Sequence, residues 1–246
     1  MNLLIYKIIK MTKISMSFAE RLRRSQDLYK ILEGFEAYTP PREEESLTGF
    51  KNFTDLLSQS NQTVASKTQA YRNWVSDRRK TFFTGDKSVK MMFNSIRSAI
   101  VAQYGNVSNE KAQLDTIIST MRYSKVSKPP LENQTPESVR TYTFGKQSYA
   151  TFTKNFNDVV TYISGLEKYQ PGNEEFSLSN LNVILTNLNL LNNNVIQKYT
   201  ELQDAKRERR EIYDEFKDRV NRIRSYVRSK YGANSPEYGK IRSISY

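Results

Sequence analysis

The chain contains no cysteine and no histidine among its 246 residues. Without cysteine there is no disulfide framework, no thiolate nucleophile and no zinc–thiolate site. Without histidine it lacks the commonest general base and the commonest transition-metal ligand. Glycine and proline are scarce, at nine and seven residues, which argues against the turn-rich all-β classes. No apolar run is long enough to span a bilayer. Met1–Met16 holds Leu3-Leu4-Ile5-Tyr6 and Ile8-Ile9, but Lys7, Lys10 and Lys13 interrupt it. It has neither the continuous apolar core nor the small-residue cleavage site of a secretory signal. It reads as a loose tail; the sharper alternative is a weak membrane-surface anchor. A cytoplasmic location is expected. There is no P-loop, GxGxxG or G-x-S-x-G, and the carboxylates lack the spacing of paired acid–base or metal work. The expectation is a non-enzyme with no catalytic residue, cofactor, metal or evident small-molecule substrate.

What the chain has instead is positive charge and helical periodicity. There are 38 Lys and Arg against 26 Asp and Glu, a formal charge of +12. Such a balance suits acidic partners, and it also serves solubility. Ser17-Phe18-Ala19-Glu20 has the form of a capping box. Phe18, Leu22, Leu28, Tyr29, Leu32 and Phe35 then recur at helical spacing, to a stop expected near Tyr38, before Pro40-Pro41. From Ser46 to Phe82 a second helix carries a seam: Phe50, Thr54, Leu57, Asn61, Val64, Thr68, Tyr71, Val75, Arg78 and Phe82. Its steps alternate four and three. After a break at Thr84–Lys87, a third helix is expected over Ser88–Tyr104 and a fourth from Ser108, with Leu114, Ile117, Ile118 and Met121 inward.

Much of this pattern occurs twice. Ile96-Arg97-Ser98 and Tyr104-Gly105 return as Ile223-Arg224-Ser225 and Tyr231-Gly232, an offset of 127 residues. Each glycine suits a positive-φ helix stop. Ser108 and Ser235 suit the following cap, and Pro236 the first helical position. Upstream the offset is 131: Phe18 falls on Tyr149, Leu32 on Ile163, Pro40 on Pro171, and Arg78-Arg79 on Arg209-Arg210. The second seam reads Leu181, Leu185, Leu188, Asn192, Val195, Tyr199, Leu202, Lys206, Arg209, Tyr213. The change of offset removes four residues, about one helical turn, at the position of the Thr84–Lys87 break. Two outcomes follow for the second copy: a fused helix of roughly 80 Å at 1.5 Å per residue, or a hairpin with a tight turn near Glu211–Asp218. The hairpin is favoured, because long helices are rare in compact domains and the mid-seam carries Lys206 and Arg209.

A wider set of residues carries a family likeness: Tyr169-Gln170-Pro171-Gly172-Asn173-Glu174, Asn192…Val195, Tyr226-Val227 and Tyr231-Gly232-Ala233-Asn234-Ser235-Pro236-Glu237-Tyr238. The chain resembles a group of uncharacterised, helix-rich bacterial proteins of Bacteroidetes type, with a C-terminal YVKS-x-FGA-x-SPQYK-like signature and two related halves. It departs from them in having Tyr231 where the group usually has Phe. The resemblance implies a fold and no activity or site residue.

The expected architecture is all-α, an elongated helical bundle of two tandem pseudo-repeats of about three helices each. Its parts are a tail (1–16), repeat 1 (17–124), a proline-bearing linker (125–147) and repeat 2 (148–246). Asn61 and Asn192 occupy matching seam positions and are either register-setting contacts or solvent-facing residues. The sixteen Tyr, twelve Phe and one Trp could form a stacking platform. Most fall on the seam, Phe50, Tyr71, Phe156, Tyr199 and Phe216 among them, where core packing explains them. The expected role is a non-catalytic scaffold or interaction module, self-associating or binding a protein partner. The alternative is sequence-independent nucleic-acid binding through Arg78, Arg79, Lys80, Lys206, Arg207, Arg209, Arg210, Arg222 and Arg228. Interleaved acids such as Asp77, Glu208, Glu211 and Asp214 dilute that field.

Overall fold

A computed structural model describes residues 16–122 and 148–244. The expected N-terminal tail up to residue 15 and the whole of the linker (125–147) lie outside them, as does the side chain of Met121. Among the described residues every regular element is helical and there is no strand. The α-helices are α1 (Phe18–Glu33), α2 (Leu47–Arg79), α3 (Val89–Tyr104), α4 (Asn109–Arg122), α5 (Tyr149–Ser164), α6 (Leu178–Tyr231) and α7 (Pro236–Arg242). No helix among them is long and apolar enough to cross a membrane.

The caps follow the sequence. Ser17 Oγ accepts the Glu20 amide at 3.2 Å. Ser108 Oγ accepts that of Lys111 at 3.2 Å, and Ser235 Oγ that of Tyr238 at 3.1 Å, with Pro236 in the first turn of α7. The capping box of α1 is half made, because the Glu20 carboxylate turns instead to Arg23 and Arg24. The Arg23 hydrogen bond is the largest cause holding that half-buried carboxylate down at about 2. Gly105 and Gly232 both stand at positive φ, +95° and +99°. A side chain there would meet open space but an unfavourable backbone. Gly105→Val and Gly232→Val should therefore each destabilise by about 1 kcal/mol or more, read as a lowered midpoint in urea. Unchanged midpoints in both would show that these turns carry no strain.

Three boundaries differ from the sequence reading. Helix α1 ends at Glu33, with Gly34 as its cap, rather than near Tyr38. Phe35 and Tyr38 continue the apolar pattern because the loop itself packs into the core, where both are buried. Helix α2 closes through a π-turn over Lys80–Thr84, in which the Gly85 amide bonds the Lys80 carbonyl at 2.9 Å. The third difference is the largest: the expected hairpin near Glu211–Asp218 is absent, and 178–231 is one helix of 54 residues. Its C-terminal region therefore holds two helices, α6 and α7, after α5, not three main helices and a terminal segment. The physical reason lies in the seam charges. Arg209 does not face water but lies over the Phe18 ring at 3.9 Å, so it interrupts neither packing nor helix. The backbone between Gln203 and Tyr231 meets no Gly or Pro, and Arg219–Glu215 adds an i,i+4 pair at 2.7 Å.

The described residues fall into two compact units: 16–69 with 200–244, and 70–122 with 148–199. In the first, α1 and the start of α2 pack on the end of α6 and on α7. Its core includes Leu28, Leu32, Phe50, Leu57, Phe216, Ile223, Val227 and Ile241. In the second, α3, α4, α5 and the start of α6 enclose Phe93, Ile96, Ile100, Leu114, Phe156, Val159, Ile163 and Leu188. Each unit thus combines an early segment of one expected repeat with a late segment of the other. Tyr199, read from the sequence as a core residue, is 50% exposed and only rests against Tyr71.

Candidate functional site

The nine basic residues singled out in the sequence do not form one patch. In the unit holding residues 70–79, Arg78 is drawn in over the Tyr149 ring at 3.8 Å and reaches Asn192 Oδ1 at 3.5 Å. Its neighbours Arg79 and Lys80 are exposed. In the other unit, Arg209 covers Phe18, and burial pulls its guanidinium below the usual arginine range. Arg207 pairs with Asp204 at 2.8 Å, and Arg222 with Glu45 at 2.6 Å. Lys206 is half-buried, while Arg210 and Arg228 are exposed. Four of the nine cations are therefore engaged by this chain's own rings and carboxylates.

Arg78 and Arg209 head two clusters that share their chemistry. Phe18 meets Tyr213 edge-on at 4.8 Å; Tyr149 meets Phe82 edge-on at 5.0 Å. Asn61 donates to the Tyr213 hydroxyl at 2.7 Å, and Asn192 to Thr153 at 3.1 Å. Both seam asparagines thus make polar contacts between helices and are half-buried rather than solvent-facing. Arg78 Nε and Arg209 Nε are buried and have no hydrogen-bond partner, so each guanidinium is held chiefly by an aromatic face. A cation spent in this way fastens helices together and is not offered to phosphate.

The loops ahead of α2 and α6 are also built alike. The Tyr38 hydroxyl donates to the Glu45 carbonyl and the Tyr169 hydroxyl to that of Phe176, both at 2.9 Å. The 3-10 turn before α2 brings the Glu43 carbonyl so close to Gly49 that a Cβ there would sit 2.1 Å from it. Before α6, Asn180 at the corresponding place instead donates to the Glu174 carbonyl at 2.7 Å. Burial pushes the Tyr169 phenol up to about 12 from an ordinary 10.0, and Tyr38 further in the same direction. A raised folded-state value means the stabilising contribution is complete below pH 10 and is lost as pH rises through about 12. The expected result is alkaline unfolding that coincides with late tyrosine ionisation at 295 nm. Tyr169→Phe, about 1 kcal/mol less stable at neutral pH through its lost hydrogen bond, should converge on the wild type above pH 10. Free titration of Tyr169 near 10 with the fold intact would contradict this.

Comparison with family models, with curated proteins and with solved structures finds no match to the chain.

Glu45 was not a candidate from its sequence, where it reads as the last of an acidic run ahead of a helix. In the structure its side chain is 3% exposed and its partner lies 177 residues away at Arg222. Arg42 stands at 3.5 Å from its other oxygen and pairs more closely with Glu44. Around the same loop the Tyr226 hydroxyl accepts the Thr39 amide at 3.1 Å, and Lys230 reaches the Ala37 carbonyl. Burial opposes ionisation of Tyr226, but the Thr39 and Lys230 hydrogen bonds outweigh it and hold the phenol below its ordinary value. No short-range spacing could have signalled these pairings.

Proposed function

We propose that the protein is a non-catalytic helical scaffold that associates with itself or with a protein partner. Its framework in this reading is a duplicated helical unit whose early and late halves have exchanged partners. The observation that carries it is α6, one uninterrupted helix that gives Leu181 and Leu188 to one core and Phe216, Val220, Ile223 and Val227 to the other. The parallel clusters around Arg78 and Arg209 support the duplication. Their members differ by 131 in number: Phe18 and Tyr149, Asn61 and Asn192, Arg78 and Arg209, Phe82 and Tyr213. Support for association comes from large apolar side chains left outside, among them Val183 at 55% and Leu190 at 54%, seven residues apart on α6.

The second reading, sequence-independent nucleic-acid binding, draws on the +12 charge and on exposed Arg79, Lys80, Arg210 and Arg228. Sedimentation and a duplex-DNA column separate the two. The scaffold reading expects a mass above that of the monomer, reduced by Val183→Asp with Leu190→Asp, and little retention on DNA. A monomer at every concentration, retained on DNA in a manner that collapses between low and moderate salt, would replace it with the second.

A further inference from the structure

We infer that the cleft between the loop at Pro40–Glu45 and the α6 face at Asn221–Ser229 binds a small organic carboxylate. The cleft holds about 480 Å³, within the range of small-molecule sites. Its head is Arg222, whose Nε is committed to Glu45 at 2.6 Å. The two terminal amino groups of that guanidinium make no hydrogen bond to the described residues, and they are the pair that takes a carboxylate end-on, one oxygen to each. Arg42 and Arg222 against Glu45 leave the lining with one net positive charge, which suits a monoanion better than a phosphate dianion. Pro40, Pro41 and the Tyr226 ring supply apolar walls for the body of such a ligand.

Two features mark this cleft as more than a by-product of folding. The first is a contrast within the chain. The positions matching Glu45, Arg222 and Tyr226 in the other unit, at offsets of 131 and 127, are Phe176, Ser95 and Ala99. There Phe176 packs against the core, so a loop of this kind closes without a buried carboxylate. Burying a charge pair in place of apolar contact is neutral or costly for stability. The second is backbone strain. Ala37, three residues ahead of the lining residue Pro40, is the one non-glycine residue at positive φ among those described, +53°. It is fixed there by Lys230 on its carbonyl and by Tyr226 beside Thr39. Such strain persists only where surrounding contacts over-determine it, and it gathers at binding sites.

Benzoate, titrated into the full-length protein under amide NMR, tests the site. The expected result is a saturable shift confined to the amides of residues 42–45 and 221–229. E45F/R222S, which installs the residues of the other unit and leaves no unpaired charge, should keep the wild-type circular dichroism and bind benzoate roughly tenfold or more weakly. Tyr226→Ala, which alters no charge, should also weaken binding. No saturable shift in the wild type, or equal shifts in E45F/R222S, would overturn the inference. Inorganic phosphate at matched ionic strength should give no saturable response; a response equal to that of benzoate would overturn the carboxylate assignment. The matching of positions rests on the duplication proposed above, whereas benzoate binding by the wild type is read independently of it.

Discussion

Asp214→Pro is expected to destabilise the protein by about 3 kcal/mol or more. Asp214 is exposed on α6, so its side chain contributes little packing that the substitution could remove. The effect falls on the backbone. Proline at this position deletes the amide hydrogen bond to the carbonyl four residues earlier, and its ring crowds that carbonyl. Tyr213 just before it and Phe216 two residues after it are fully buried in one core, so a kink would displace two of its largest side chains. Were residues 211–218 a hairpin turn, proline would be an ordinary occupant and the cost would be small. Urea unfolding followed at 222 nm separates the two outcomes. A midpoint within error of the wild type would mean that α6 is broken there.

Phe216→Ala should cost about 3–5 kcal/mol, the usual range for emptying a buried phenylalanine site. Its more telling consequence is where the loss appears. Phe216 shares its core with Leu28, Leu32, Phe50 and Leu57, all from the first quarter of the chain. Hydrogen exchange should therefore accelerate in α1 and in residues 47–69, besides the end of α6 itself. Helix α5 precedes Phe216 much more closely in sequence, but its Phe156, Val159 and Ile163 belong to the other core, so its protection should hold. Loss of protection in α5 equal to that in α1 would contradict this division.

Local chemistry made much of the fold legible. Ser17, Ser108 and Ser235 cap helices because a hydroxyl before an apolar-periodic run has few better partners than the free amides beside it. Gly105 and Gly232 end helices at positive φ, where other residues are strained. What escaped the sequence is what depends on distant partners. Lys206 and Arg209 look like a break in an apolar seam until Phe18, 191 positions upstream of Arg209, supplies the ring that Arg209 covers. Phe35 and Tyr38 prolong a helical pattern past its end because a loop can bury side chains at the same spacing. The Glu45–Arg222 pair joins the turn ahead of α2 to the body of α6 across most of the chain. The pairing of early with late segments was least legible of all. In the proposed duplication the two copies present nearly equivalent apolar faces, so burial alone does not say whether a face closes on its own copy or on the other.

Aromatic ring contacts decide that question directly. In nuclear Overhauser spectra of the intact protein, the Phe18 ring should show cross-peaks to Tyr213, and the Tyr149 ring to Phe82, in line with centroid separations of 4.8 and 5.0 Å. Two self-contained copies would give the opposite pairs, Phe18 with Phe82 and Tyr149 with Tyr213, and that pattern would contradict the exchange of halves on which this account of the fold stands.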